Sequence, residues 1–203
     1  MIGIIDYGAG NLLSVKKALE YLGEKPRIIH SQKDLEGMEK LILPGVGAFQ
    51  SAIENLKSRG IYEVIREWLV SDRPFLGICL GMQLLFEESE ESDGAKGFEI
   101  FRGKVLRFKE RKVPQIGWNR VSIRKRSRMM DGIEDGSFFY FLHGYFVGAV
   151  DEEITVGETK YGITYSSVIE KSNIFAVQFH PEKSGKNGLK LLQNWIKSEG
   201  GKR

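Results

Sequence analysis

Over the first two thirds of the chain, short apolar runs alternate with amphipathic stretches, the pattern of parallel strands joined by helical crossovers. Ile2 to Ile5 reads as a buried strand, followed by the Gly-rich turn Gly8-Ala9-Gly10-Asn11. Leu12, Val15, Leu19 and Leu22 recur at helical spacing, which predicts a helix from Leu12 to Leu22 closed by Gly23. Arg27 to His30 and Leu41 to Leu43 read as the next strands, the second broken abruptly by Pro44-Gly45-Val46-Gly47. Two helices are expected at Phe49 to Ser58 and Ile61 to Val70, separated by Gly60. Phe75 to Ile78 is then a strand leading straight into Cys79 and a helix over Leu80 to Phe86.

Beyond Gly94 the texture changes to β-branched and aromatic strands: Lys104 to Phe108, Phe138 to Val147, Ile154 to Thr159 and Ile174 to Phe179. A last helix, Gly188 to Lys197, carries Leu189, Leu192 and Ile196 on one face. No Pro/Ser-rich linker divides the two textures. The expectation is an α/β protein of one domain over residues 1–203, its largely parallel sheet continued by an antiparallel extension.

The chain has 203 residues, 41% of them hydrophobic, enough for one sizeable core. A net charge of +3 is too weak to argue for nucleic acid. The basic run Arg124-Lys125-Arg126-Ser127-Arg128 has no interleaved aromatic residues and reads as a solvated loop or hairpin. No charged leader precedes an apolar stretch, and no apolar run is long enough for a bilayer, so a cytoplasmic protein without a membrane partner is expected. Cys79 is the single cysteine, which excludes an internal disulfide and a cysteine-based zinc site; it is either core filler or a reactive thiol.

Gly77-Ile78-Cys79-Leu80-Gly81 has the form Gly-x-nucleophile-x-Gly at a strand-to-helix junction, the arrangement of a nucleophile elbow. So sharp a turn brings backbone segments together, and the positions two before and two after the nucleophile favour residues without a side chain. The elbow also sets the thiol at the positive end of the next helix, where thiolate is favoured. His180-Pro181-Glu182 follows the apolar strand Ile174 to Phe179. In an extended segment residues i and i+2 point the same way, so Glu182 is expected to reach His180, orient its ring and stabilise its imidazolium. His30 and His143 are discounted as the base: the first has no nearby acid placed to orient it, and the second sits in an aromatic strand as a structural histidine.

Acyl transfer from a carboxamide needs donors aimed at the developing oxyanion. The backbone N–H of Leu80 is one candidate, and Val46 or Gly47 could supply a second from the turn that ends a neighbouring strand. Gly8 and Gly10 match a dinucleotide fingerprint, but Leu13 stands where its third glycine should be. No Gly-Lys-Ser/Thr occurs, and neither a nucleotide cofactor nor a metal is expected.

These residues resemble the class I, triad-type glutamine amidotransferases, and more narrowly the glutaminase subunits of imidazole glycerol phosphate synthase. The resemblance runs end to end through Asp6-Tyr7-Gly8-Ala9-Gly10-Asn11-Leu12, Leu43-Pro44-Gly45-Val46-Gly47-Ala48-Phe49, Gly77 to Gln83, Pro114-Gln115-Ile116-Gly117-Trp118-Asn119 and His180-Pro181-Glu182-Lys183-Ser184. The elbow and His-x-Glu mark the superfamily; the other three segments favour this subunit. The resemblance implies a flavodoxin-like sheet with helices on both faces. It also implies hydrolysis of glutamine to glutamate and ammonia by Cys79, His180 and Glu182 through a γ-glutamyl thioester, in histidine biosynthesis.

By the same resemblance Gly47, Gln83 and Glu91 would bind glutamine, with backbone from His143, Gly144 and Tyr145. The family usually has Ser or Thr where this chain has Gly144, so a hydroxyl contact would be lost. The implied partner is a (β/α)8 barrel cyclase that receives the ammonia in a heterodimer, with Asn11, Trp118 and Lys183 in the segments that would face it. The rival readings are a glutaminase serving another synthase, a cysteine peptidase or esterase, and a binding subunit with a vestigial triad. The acid two residues after the histidine argues against an α/β-hydrolase, where it precedes.

Overall fold

The computed structural model describes residues 1–8, 10–148 and 151–198; Ala9 of the first Gly-rich turn lies outside them. Strands β1 (Ile2–Ile5), β2 (Arg27–Ile29), β3 (Lys40–Gly45) and β4 (Phe75–Cys79) alternate with helices α1 (Leu12–Tyr21), α2 (Phe49–Ser58) and α3 (Tyr62–Val70). A one-turn helix α4 (Leu80–Gln83) follows β4. Next come β5 (Glu88–Ser89), β6 (Ser92–Lys96), β7 (Lys104–Arg107), β8 (Gln115–Arg120), β9 (Ser122–Ile123), β10 (Phe138–His143) and β11 (Tyr145–Val147). The chain closes with β12 (Thr155–Tyr161), β13 (Ile163–Lys171), β14 (Ile174–Val177) and α5 (Gly185–Lys197).

The main sheet has the order β2-β1-β3-β4-β14-β13-β12-β9. Its first five strands are parallel and its last three antiparallel, the expected extension. Neighbouring residues of a strand point to opposite faces. Ile5, Leu41, Leu43 and Phe75 accordingly join one core with Ile53, Leu56, Ile65 and Leu69 from α2 and α3. Ile4, Ile42, Leu76 and Ile78 join a second with Val15 and Leu19 from α1 and with Leu191, Leu192 and Trp195 from α5. Helices therefore cover both faces, and β4 lies between two dry layers.

Several details depart from the sequence reading. β3 is not broken at Pro44 but runs through it to Gly45, which pairs with Cys79. Pairing with β1 ends at Ile42, so at Pro44 one side of β3 needs no donor. The helix after Cys79 stops at Gln83, because the N–H groups of Leu85 and Phe86 turn to the carbonyls three residues back, Met82 and Gln83, and the carbonyls of Leu84 and Leu85 then accept from Phe98, Ile100 and Phe101. The aromatic stretch expected as one strand from Phe138 to Val147 is split at Gly144: β10 pairs with β8 and β11 with β7, in separate sheets. The long strand β13, unforeseen in the sequence, pairs on both sides.

The basic run is a loop fastened by ion and hydrogen bonds. Arg124 Nε lies 2.9 Å from Glu158 Oε2, Lys125 Nζ donates to the Glu153 carbonyl, and Ser127 Oγ donates to Glu170. Among the described residues no helix is long and apolar enough to cross a membrane.

Candidate active site

Three adjacent parallel strands each end in one element of the site. β4 delivers Cys79 in the elbow, β3 runs on to Val46 and Gly47, and the chain leaving β14 reaches His180. Cys79 itself has φ +55° and ψ −107°, a conformation costly for a residue with a side chain and typical of functional turns. The flanking glycines are required by contact. A Cβ on Gly77 would lie 2.7 Å from the Gly81 carbonyl oxygen, and one on Gly45 would lie 2.3 Å from Tyr7 Oη.

His180 is 2% exposed and its Nδ1 lies 2.9 Å from Oε1 of Glu182, whose side chain is as deeply buried. The contact arises differently from the extended i, i+2 relation expected. His180 is extended, but Pro181–Lys183 forms a 3-10 turn that folds the carboxylate back beneath the ring. Gly188 packs so tightly on the Pro181 carbonyl that α5 locks the turn in place. With Nδ1–H donating to Glu182, Nε2 is left facing the site without a hydrogen bond of standard geometry. Burial pushes the imidazole pKa down, but the neighbouring Cys79 and Glu182 outweigh it and hold His180 up at about 10. The imidazole therefore holds its proton more tightly than a free one.

The cleft above Cys79 has a volume of about 250 Å³. Val46, Gly47, Leu80, Gln83, Glu91, His143, Gly144 and Tyr145 all line it, so every residue expected near the oxyanion or the substrate meets the nucleophile in one cavity. Pro114 and Leu142 complete the wall. Gly47 has φ +109°, open to glycine, and Leu80 begins α4 with an N–H that the helix does not use. Glu91 has a second attachment: its Oε2 accepts the N–H of Phe49 at 2.8 Å and so caps α2.

His143 is a structural histidine. Its Nδ1 donates to the Tyr145 carbonyl at 2.7 Å, and Nε2 lies 3.2 Å from Tyr165 Oη. Burial lowers its pKa to about 4, so it stays neutral. The expectation that His30 lacks an acid is wrong: its Nδ1 lies 3.0 Å from Asp6 Oδ2, because β2 and β1 run side by side. That pair sits at the sheet's far edge, with β1 and β3 between β2 and β4.

Two features were missed in the sequence. Gln178, fully buried, points its Nε2 at Cys79 Sγ, 3.6 Å away, while its Oε1 accepts from Gln83 Nε2 at 3.1 Å. A lone amide in an otherwise apolar stretch was the only signal. The carbonyl oxygen of Leu142 also faces the sulfur at 3.7 Å.

Of the residues expected to face a partner, Asn11 precedes α1, which packs against the Pro181–Lys183 turn. Lys183 Nζ lies over the Tyr140 ring, and Trp118, 56% exposed, packs edge-on against the same ring. Tyr140 is tied to the His180 turn by both backbone groups: its N–H donates to Ser184 Oγ at 3.0 Å, and its carbonyl accepts the N–H of His180 at 2.9 Å.

Comparison with known proteins agrees with this geometry. The family model "Glutamine amidotransferase class-I" matches residues 3–198. The imidazole glycerol phosphate synthase subunit HisH of Methanocaldococcus jannaschii is 53% identical over 200 residues, covering 97% of this chain and 98% of that one. The HisH subunit of Pyrococcus furiosus is 47% identical over 195 residues, covering 96% and 97%. Among solved structures, a glutamine amidotransferase superposes with a TM-score of 0.77 over 97% of both chains at 18% identity, which shows the shared fold. PurLQS from Thermotoga maritima does so with a TM-score of 0.75 over 96% of both at 19% identity. The chain belongs to the class-I glutamine amidotransferase family, in the branch of the HisH subunits of imidazole glycerol phosphate synthase.

Proposed function

We propose that this chain, as a single domain, hydrolyses glutamine and hands the ammonia to a (β/α)8 barrel cyclase, with Cys79 as nucleophile, His180 as proton carrier and Glu182 as its orienting acid. The observation that carries the reading is the buried His180–Glu182 pair set beside a strained cysteine on neighbouring strand ends. Cys79 Sγ attacks the side-chain amide carbon of glutamine, and the N–H of Leu80, with Val46 or Gly47, stabilises the oxyanion. As the C–N bond breaks, His180 gives its Nε2 proton to the leaving nitrogen and ammonia departs. His180, now neutral, takes a proton from the water that attacks the thioester; the C–S bond breaks, and glutamate and the thiolate are released. Gln83, Glu91 and the backbone of His143 to Tyr145 form the glutamine pocket.

Ammonia released into water is protonated and loses its nucleophilic lone pair, so a docked acceptor is needed. The β8–β10 ribbon offers a surface for one. Ile116 and Trp118 alternate on its outer face with Tyr140 and Leu142 opposite them, and Phe138 continues that face. Asn11, Trp118 and Lys183 are proposed to meet the cyclase there.

The test is glutamate release from glutamine by the chain alone, and with the barrel cyclase and its ribonucleotide substrate, with Cys79→Ala as control. Release that needs both Cys79 and the cyclase supports the reading. Absence of release with the cyclase present rejects it, and partner-independent cleavage of peptides or esters would favour the peptidase alternative.

A further inference from the structure

The sulfur of Cys79 has two protein neighbours of opposite character. The Leu142 carbonyl, 3.7 Å away, can only accept, and so suits the thiol, whose S–H can donate to it. The Gln178 amide, 3.6 Å away, presents an N–H, and so suits the thiolate.

An amide side chain could present either end to the sulfur, and its orientation has to be argued from its other partners. Here a backbone group decides it. The Tyr145 carbonyl can only accept, so the atom of Gln83 that lies 2.9 Å from it is the nitrogen. The same Gln83 nitrogen donates to Gln178, so the Gln178 atom facing Gln83 is the oxygen and the one facing Cys79 is the nitrogen. Gln83, Gln178 and Cys79 are all buried, and turning either amide over would set two acceptors or two donors against each other.

We propose that Gln178 is a positioning residue for the nucleophile: its amide holds an N–H donor on Cys79 Sγ, in an orientation imposed through Gln83 by the Tyr145 carbonyl, and so favours the thiolate over the thiol. The proposal rests on the reading of Cys79 as the nucleophile and adds a donor besides the His180–Glu182 pair. It also joins the wall of the glutamine pocket to the reacting atom, because Gln83 and Tyr145 line the cleft while Gln178 lies behind it.

The experiment is the rate of iodoacetamide alkylation against pH for the wild type, Gln178→Leu and Gln178→Glu. Cys79 is the only cysteine, so the signal has one source. Alkylation reads the thiolate without glutamine or a cyclase, so it is independent of whether the chain hydrolyses glutamine. In Gln178→Leu the rate at pH 7 should fall about tenfold, the effect of losing one charge-assisted hydrogen bond, while the rate at pH 10 stays within about twofold of wild type. Gln178→Glu, nearly isosteric, keeps the shape but turns a carboxylate on the sulfur, and should lose at least as much at pH 7. Unchanged rates at pH 7 in both variants, with native circular dichroism, overturn the proposal. Equal losses at pH 7 and pH 10 overturn it too, because they mark a collapsed cleft rather than a missing donor.

Discussion

Gly81 lies so close under Leu43 that a Cβ built on it would stand 1.8 Å from the Leu43 carbonyl oxygen. Leu43 is on β3 and Gly81 in the turn that follows β4, so this contact sets how near the elbow can approach the neighbouring strand. Gly81→Ala has to push two backbone segments apart. It should cost about 3 kcal/mol or more in urea unfolding, and any folded fraction should show slowed Cys79 alkylation. A stability within about 0.5 kcal/mol of wild type would show that the elbow is not built on this contact.

The charge on His180 should be visible in pH profiles. Its folded pKa of about 10 lies above the ordinary imidazole value of 6.5, so its contribution to stability is complete below about pH 6.5 and is lost as the pH rises through about 10. Glu182→Gln keeps the Nδ1 contact but removes a charge. The loss of stability between pH 7 and 10 should become shallower, and glutamate release with the cyclase present should fall about 10- to 100-fold. A variant with unaltered kcat would remove Glu182 from the mechanism.

His143 predicts the opposite pH dependence at the acid end. Its folded pKa of about 4 lies below 6.5, so the neutral ring contributes stability that is present above about pH 6.5 and lost as the pH falls through about 4. This site alone should remove roughly 3 kcal/mol by pH 4, and His143→Gln should flatten that slope in denaturant titrations. An unchanged slope would place the acid sensitivity elsewhere.

At Gly144 the backbone has no positive φ, and an added Cβ would meet Val113 Cγ1 at 3.2 Å, a tight contact with a movable methyl group. Gly144→Ser should therefore fold, with its midpoint of unfolding lowered by a few degrees at most. If the pocket binds glutamine as proposed, the new hydroxyl should lower KM for glutamine severalfold with kcat little changed. A raised KM would mean that the serine crowds the pocket instead of contacting the substrate.

The parallel half of the molecule was readable in the sequence because its apolar runs are buried on both faces; α2 begins and ends where its periodicity does, at Phe49 and Ser58. The antiparallel half was harder for a physical reason. β13 buries Ser166 and Ser167, polar residues that look like loop until they are seen hydrogen-bonded to Thr155 and Thr159 on β12. Local motifs singled out Cys79, His180 and Glu182, and the structure sets the last two in hydrogen-bond contact near the elbow. Gln178 was not, since its meaning comes from Gln83, 95 residues away in the chain. The end of α4 was hidden likewise, because the carbonyls of Leu84 and Leu85 find their partners at Phe98 to Phe101, beyond the reach of local periodicity.

Tyr140 gives the molecule a mechanical property. The β8–β10 ribbon is hydrogen-bonded as a sheet of its own, and Tyr140 is where its backbone is pinned to the peptide of His180 and the side chain of Ser184. Asn119, which donates to the Lys160 carbonyl, and Gln115, which accepts from Tyr165 Oη, fasten the ribbon elsewhere, but Tyr140 is the anchor that reaches His180. A load applied at Trp118, which rests on the Tyr140 ring, is thus passed through one residue to the peptide of His180.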